Sequence, residues 1–323
     1  MTLRLGFVGV GRWSRKLAES FRACGAEIVA HDSPTAAHFA KLHSVANRCD
    51  CGHPWIDHTE GGLGGLSGPC HGRGRWMGDA VVNTNECYCK AFKRTDHAPG
   101  FGSFMPWRDQ LADKSIDAIV AVAPPEITTE VVLAAAAIGK PIMGTKPLWS
   151  VPDTIRAPVW CDFWRLWTYG HAAAKEAWEM DTSRELLCNL YGDGPFRDFP
   201  GALDYGPHVM ATLLDMQPGL KVRSAKKLNG GNGELFRVEF GPGNIVAHFG
   251  NAGQGRSDRR LTCGDTEFTE AGDMSWGMRK DDAIRAMCNA FVADCHEGYG
   301  DSRLMDLSRE GMKLLRQVRE MAK

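Results

Sequence analysis

Cysteine and histidine residues cluster in one glycine-rich stretch, and their side chains are those that bind transition metals. Thiolate and imidazole ligands favour zinc, which takes four of them in a tetrahedron. In an extended segment the two cysteines of a C-x-C pair point the same way, so each pair can chelate one ion. A structural zinc would also stabilise a segment too poor in large apolar side chains to form a core. The candidate ligands are Cys49, Cys51, His58, Cys70, Cys87 and Cys89.

Disulfides and an iron–sulfur cluster are weaker interpretations of the same cysteines. Disulfides are disfavoured in a reducing cytoplasm, and an iron–sulfur cluster is disfavoured by the histidines and the loose spacing. His53 and His71 are expected not to be ligands, and which four of the six candidates bind is left open. A catalytic zinc needs an open coordination position at the reacting group, so we predict a structural ion.

A second motif, at the start of the chain, has the spacing of a dinucleotide-binding loop. The segment GFVGVGRWS contains Gly9, Gly11 and Ser14, a G-x-G-x-x-S variant of the fingerprint. Gly9 permits a tight turn, and Gly11 lets backbone N–H groups approach a pyrophosphate. Asp32 ends the next predicted strand, where its carboxylate can accept hydrogen bonds from both ribose hydroxyls and would repel a 2′-phosphate. NAD is therefore predicted in preference to NADP, with Arg12 beside the pyrophosphate or simply solvated.

The elements around these motifs predict a doubly wound α/β domain. Residues 3–11 form an apolar run that ends in glycine, residues 14–25 have helical spacing, and a second strand and helix follow. The alternation stops in the cysteine-rich segment and resumes after it. The predicted Rossmann domain therefore covers residues 1–150, with a Cys/His-rich insertion at residues 48–100.

Residues 151–323 are predicted to form a C-terminal α+β domain for substrate binding and oligomerisation. In LFRVEFG, Phe236, Val238 and Phe240 alternate with charged residues, which is typical of a half-buried strand. Similar segments predict an open antiparallel sheet with one wetter face, which permits a homo-oligomer. Further strands are predicted at residues 221–228, 244–252 and 259–264, and helices at 281–298 and 303–322.

The composition predicts a cytoplasmic protein with small-molecule chemistry. A net charge of −1 gives no electrostatic reason to bind nucleic acid or an anionic membrane. No apolar run approaches the ~20 residues of a membrane helix, and the first residues lack a signal-peptide pattern. The basic and aromatic residues of the insertion favour a solvated surface over contact with nucleic acid.

With the fingerprint, the segments at residues 115–148 and 192–216 make the chain resemble the GFO/IDH/MocA oxidoreductases. This family includes glucose–fructose oxidoreductase and inositol dehydrogenase, and it joins a Rossmann domain to an α/β domain with an open antiparallel sheet. The resemblance covers nearly the whole chain except the insertion. It implies hydride transfer between NAD(P) and a carbinol or carbonyl of a sugar, sugar nucleotide or cyclitol.

The resemblance also implies the catalytic residues. The E-K-P signature of the family falls on residues 145–147, and its D-x-x-x-H pair falls on Asp204 and His208. His208 is the expected base, since histidine has an ordinary pKa of about 6.5; a structural histidine is the alternative. Asp204 would orient it, and Lys146 would stabilise the developing alkoxide. The cofactor-binding set is Gly9, Gly11, Arg12, Trp13, Asp32, Pro124, Lys146 and Arg165.

Two departures from the family pattern favour other functions. Thr145 stands where the signature has glutamate, and the chain between Pro147 and Arg165 is too short for the usual crossover helix and strand. A non-catalytic NAD-binding sensor or scaffold, whose zinc-stapled insertion binds a partner, is therefore the alternative hypothesis. A third is redox-assisted glycoside or elimination chemistry with tightly held NAD.

Overall fold

The computed structural model describes residues 2–32, 101–152, 156–192, 201–228, 234–252, 256–298 and 302–323. The second predicted helix and the Cys/His-rich insertion lie outside these ranges. The described residues form two β-sheets, one of six strands and one of eight.

The first sheet is parallel throughout and has the strand order β3-β2-β1-β4-β5-β6. Its short apolar strands are largely buried, as expected for a sheet covered on both faces. The strands are added in one direction from β1 to β3 and in the opposite direction from β4 to β6, so the strand order reverses between β1 and β4. Doubly wound folds open a ligand crevice at this point. The predicted Rossmann architecture is confirmed. The strands are β1 (Arg4–Val8), β2 (Glu27–Asp32), β3 (Ser103–Phe104), β4 (Ala118–Ala121), β5 (Ile142–Gly144) and β6 (Val159–Cys161).

Three helices belong to this sheet: α1 (Arg12–Ala23), α2 (Trp107–Ala112) and α3 (Pro125–Ala137). The apolar face of α1 buries Leu17 and Phe21, and the Phe21 ring meets Phe7 of β1 edge-on at 6.3 Å. Proline in the first turn starts α3, a position that needs no backbone N–H.

The connection from β5 to β6 is shortened. Its described residues, 145–152 and 156–158, contain no helix. Even so, β6 pairs with β5, so the parallel sheet extends past residue 150, the predicted end of the first domain. The domain division itself stays a prediction.

The second sheet has the order β14-β13-β12-β11-β7-β10-β9-β8. Its neighbouring strands are antiparallel except β7 and β10, so the sheet is mixed and the expectation of a wholly antiparallel one needs this correction. Strand β7, which lies near the centre of the sheet, was not predicted from the sequence. The strands are β7 (Glu185–Gly192), β8 (Lys221–Leu228), β9 (Leu235–Gly241), β10 (Asn244–Asn251), β11 (Asp258–Cys263), β12 (Thr266–Ala271), β13 (Met274–Ser275) and β14 (Met278–Arg279).

Helices join the two sheets. Helices α4 (Tyr169–Met180) and α5 (Gly201–Met216) pack on the second sheet, as does α7 (Ser302–Met321), which also contacts β6. Helix α6 (Lys280–Glu297) packs on α1, where the Phe21 and Phe291 rings lie 5.9 Å apart. No helix in the described ranges is both long and apolar enough to cross a membrane.

Candidate active site

Several candidate site residues lie at the carboxyl ends of the parallel strands. Gly9 follows β1, Lys146 follows β5, and Asp162 follows β6. Because these strands are parallel, their carboxyl ends share one edge of the sheet. The first half of α5 approaches that edge, since the Lys146 side chain reaches Asp204.

The glycine loop has the backbone that its motif predicts. Gly9 has φ +102°, and a Cβ built on it would lie 2.1 Å from the carbonyl oxygen of Val122. Glycine is therefore required at this position. A Cβ built on Gly11 meets no atom within 4 Å in the part of the chain that the structure describes, so there is open space in front of the loop among these residues. Gly11 precedes α1, whose first N–H groups make no hydrogen bond to a capping side chain in the described structure. This end of α1 fits a pyrophosphate.

The other predicted cofactor residues flank this loop. Asp32 is 8% exposed and ends β2, where its Oδ2 accepts a hydrogen bond from the Trp107 backbone N–H at 2.9 Å. Helix α2 thus fixes the carboxylate that would meet the ribose. Arg12 is exposed, whereas Trp13 is half-buried and donates from Nε1 to Asp162 Oδ2 at 2.5 Å. Pro124 caps α3 beyond β4.

Lys146 and Asp204 form a partly exposed ion pair. Lys146 Nζ lies 2.6 Å from Asp204 Oδ1, and it also donates to the Asp204 backbone carbonyl. The two side chains are 16% and 25% exposed, so the ammonium is restrained yet accessible. An ammonium held in this way can stabilise negative charge on a substrate oxygen.

His208 lies one helical turn after Asp204 and is buried. Its imidazole meets the Phe163 and Trp164 rings edge-on at 6.0 and 6.3 Å. Burial, followed by the positive charges of Arg165 and Lys146, lowers its pKa well below the ordinary value. The ring is therefore neutral at neutral pH, and its Nδ1 atom has no hydrogen-bond partner in the described part of the chain.

Arg165 is held by the second sheet. Its guanidinium is 2.9 Å from Glu270 on β12 and stacks 4.3 Å above the Trp164 ring. Burial alone would raise the pKa of Glu270, but Arg165 and Lys280 outweigh it and hold the pKa at about 2. The structure thus ties Arg165 to Glu270, and its contact with a cofactor stays a prediction.

Asp162 is a site residue that was not predicted from the sequence. It is 1% exposed, and burial raises its pKa to about 6 against the opposing effects of the Trp13 hydrogen bond and the Lys146 charge. Its only local signal is its place directly after the apolar segment VWC. Polar residues at that end of a parallel strand are candidates for ligand contact.

The fold of this chain is similar to that of known structures, but its sequence matches no family model and no curated protein. A myo-inositol dehydrogenase structure from Corynebacterium glutamicum covers 100% of this chain and 97% of its own, at 14% identity and a TM-score of 0.65. A scyllo-inositol dehydrogenase from Lactobacillus casei, with bound NAD(H) and scyllo-inositol, covers 100% and 97%, at 13% identity and a TM-score of 0.61. A 3-ketoreductase from Actinomadura kijaniata, in complex with TDP-benzene and NADP, covers 100% and 98%, at 13% identity and a TM-score of 0.65.

The chain has the two-domain fold of these oxidoreductases. This confirms, at the level of fold, the resemblance noted from the sequence. At such low identities the matches establish architecture, and function has to be argued from the site.

The predicted zinc ligands cannot be placed. Cys49, Cys51, His58, Cys70, Cys87 and Cys89 all lie outside the described residues. The residues that are described contain no group of three or more potential ligands close enough to hold a metal ion. The zinc site stays a prediction from the sequence.

Proposed function

We propose that the protein is an NAD-dependent oxidoreductase that transfers a hydride between nicotinamide and a carbinol or carbonyl carbon of a cyclitol, sugar or sugar nucleotide. The observation that carries this proposal is the ion pair of Lys146 with Asp204, 2.6 Å long, at the edge of the sheet that also carries the glycine loop. Such a reaction needs the hydride acceptor and the group that stabilises the alkoxide close to the same reacting carbon.

The cofactor fits the residues present. The glycine loop leaves room in front of Gly11 and directs the start of α1 toward it, as pyrophosphate binding requires. Asp32 lies at the end of β2, where it would bind the adenine ribose and disfavour a 2′-phosphate. When bound, NAD supplies the hydride acceptor or donor. NAD is proposed over NADP on this residue alone, because the similar structures include one with NAD(H) and one with NADP.

The side chains divide the remaining chemistry between them. In the oxidation direction the neutral imidazole of His208 accepts the hydroxyl proton, a role that its lowered pKa permits at neutral pH. Lys146 stabilises the oxygen that becomes negative, and Asp204 keeps the ammonium charged and in place. Aromatic rings of Phe163 and Trp164 shield the imidazole from water.

The substrate class rests on the similar structures together with this polar constellation. Two of them are inositol dehydrogenases, and one is a ketoreductase in complex with TDP-benzene. A secondary alcohol or ketone of a polyhydroxylated ring is the substrate that Lys146 and His208 are suited to convert.

A non-catalytic NAD-binding protein is the second candidate, favoured by one observation. The β5–β6 connection, which begins at Thr145 beside Lys146, has no helix in its described residues. A chain that binds NADH with no turnover on any polyol would support this candidate.

The insertion is proposed to bind one structural zinc through four of its six candidate ligands. The support is its sequence alone: paired thiols and a histidine in a segment with few large apolar residues. Metal analysis of the purified protein tests it, and a chain that folds and binds NADH without zinc contradicts it.

The proposed activity is tested by mixing the purified chain with NAD and a panel of cyclitols, aldoses and sugar nucleotides, while the absorbance of reduced nicotinamide is followed. Turnover on at least one compound is expected, and His208→Ala should reduce it about a hundredfold or more. His248→Ala is the matched control, since His248 lies on β10 and bonds Asn189. Equal losses in both variants would exclude His208 as the base.

A further inference from the structure

Asp162 links the two halves of the proposed site. Its backbone N–H donates to the Gly144 carbonyl at 2.9 Å, which places it beside the end of β5, two residues before Lys146. Its Oδ2 atom accepts the hydrogen bond from Trp13, in the first turn of α1 directly after the glycine loop. One buried carboxylate thus connects the loop proposed for the pyrophosphate with the strand end that carries the lysine.

The pairing of this carboxylate is incomplete. Oδ1 is buried and makes no hydrogen bond of good geometry in the described structure, although the nearby Trp164 backbone N–H favours the charged carboxylate. The charged and titratable groups that act on Asp162 are Lys146 after β5, Arg165 before α4, Cys161 of β6 and Cys288 of α6. Neither cation forms an ion pair with it; Lys146 binds Asp204 and Arg165 binds Glu270. A negative charge in such a place is costly unless a positive group of a ligand approaches it.

The position of Asp162 indicates which ligand group that is. In a doubly wound fold the dinucleotide spans the crevice at the reversal of strand order, here between β1 and β4. Asp32, at the end of β2, would bind the adenosine half, so the nicotinamide half would lie toward β4, β5 and β6. Oxidised nicotinamide carries a positive charge on its ring, and reduced nicotinamide is neutral.

We infer that Asp162 determines which redox form of the cofactor the protein prefers: its buried carboxylate stabilises oxidised nicotinamide relative to reduced nicotinamide, and it orients Trp13 beside the cofactor. This inference rests on the proposed function. It also gives the site a carboxylate near Lys146 although Thr145 replaces the glutamate of the E-K-P signature. A purely structural Asp162 would affect both cofactor forms equally.

The test is the ratio of the dissociation constants for NAD and NADH, measured by calorimetry on the full-length protein. Asp162→Asn keeps an oxygen for the Trp13 hydrogen bond but removes the charge, so NAD should weaken relative to NADH by about tenfold. Trp13→Phe removes the hydrogen bond that lowers the pKa of Asp162, so at a pH well above that pKa both forms should weaken with little change in their ratio. Asp265→Asn, in the exposed turn between β11 and β12, is the control and should leave both constants unchanged.

A second measurement does not depend on the folding of a variant. Since the pKa of Asp162 is raised to about 6, the preference of the wild-type protein for NAD should fall as the pH is lowered from about 7.5 to about 5. A wild-type protein that binds both forms, with a ratio unchanged by Asp162→Asn or by pH, overturns this inference alone. A wild-type protein that binds neither form overturns the proposed function and this inference with it.

Discussion

Helix α5 carries one buried ionisable residue near its middle, His208, and another near its C-terminal end, Asp215, and the two differ in how they are paired. Near the C-terminal end, Asp215 is bound by His171 Nε2 at 2.9 Å, by Lys175 Nζ at 3.1 Å and by the guanidinium of Arg303. Burial would raise the pKa of Asp215, but the hydrogen bonds from His171 and Arg303 outweigh it and lower the pKa. Every oxygen of this carboxylate has a partner, as expected for a group that holds helices together.

The surroundings of His208, at the middle of α5, are different. His208 Nδ1 and Asp162 Oδ1 are buried without a hydrogen-bond partner in the described structure, as is His171 Nδ1 of the Asp215 cluster. The pKa values of His208 and Asp162 both shift toward the uncharged form, whereas that of Asp215 shifts toward the charged form. Such groups cost stability where they are, and perturbed pKa values cluster at functional sites. The contrast indicates that the Asp215 cluster is structural. The region around Lys146, Asp162 and His208 is where we expect the protein to interact with a ligand.

The largest expected effect is on stability, at the Asp215 end. Asp215→Ala leaves His171, Lys175 and Arg303 without their shared anion, and breaking a buried pair costs roughly 3–5 kcal/mol of unfolding free energy. Denaturant unfolding measures it. Asp306→Ala, which removes the exposed partner of Arg309, is the control and should cost under about 1 kcal/mol. Similar losses in the two variants would remove the distinction between buried and surface pairs.

The next largest effects are expected at two lysines, one of which should matter for turnover and the other for stability. Lys146→Met should lower turnover about a hundredfold or more, because it removes the group that stabilises the developing alkoxide. Lys175→Met should leave turnover nearly unchanged and lower the unfolding free energy by about 1 kcal/mol, since Lys175 is only one of three partners of Asp215. Steady-state kinetics measures the turnover of both variants, and denaturant unfolding measures their unfolding free energies. The comparison fails if Lys175→Met loses as much activity as Lys146→Met.

The smallest expected effect is a pH dependence of stability. The pKa of His208 is lower in the folded than in the unfolded chain, so the unfolded chain takes up a proton first as the pH falls below about 6.5. The wild-type protein should therefore lose up to about 1.4 kcal/mol per pH unit, relative to His208→Gln, between about pH 6 and about pH 5. Thermal unfolding at both pH values measures this, with His296→Gln, an exposed residue near the end of α6, as the control. Parallel pH profiles for wild type and His208→Gln would show that the imidazole is solvated.

Much of the fold could be predicted because its signals are local. The apolar run ending in Gly9 and Gly11 predicted β1 and its loop, and the alternation of Phe236, Val238 and Phe240 predicted β9. Strand β7 was missed although it is central, because ELLCNLYG is not a clean alternation of apolar and polar residues. Its identity as a strand depends on pairing with β10 and β11, which the chain reaches only later.

The site shows the same limit. Lys146 and Asp204 are 58 residues apart in sequence and were predicted to meet only through a family resemblance. Asp162 had no such signal, because what distinguishes it is burial and a hydrogen bond from a residue 149 positions away. Contacts of this kind are set by tertiary packing, which no local pattern encodes.

The central claim, that this edge of the first sheet binds NAD, is tested most directly by calorimetric titration of NADH into the wild-type protein and Gly11→Ala. A Cβ at Gly11 meets no atom of the described residues within 4 Å, so the variant should unfold like wild type. The same methyl group would occupy the space proposed for the pyrophosphate. We expect one NADH per chain in the wild type and at least roughly tenfold weaker binding in the variant. No binding to the wild type, or equal affinities in the two proteins, would contradict the account.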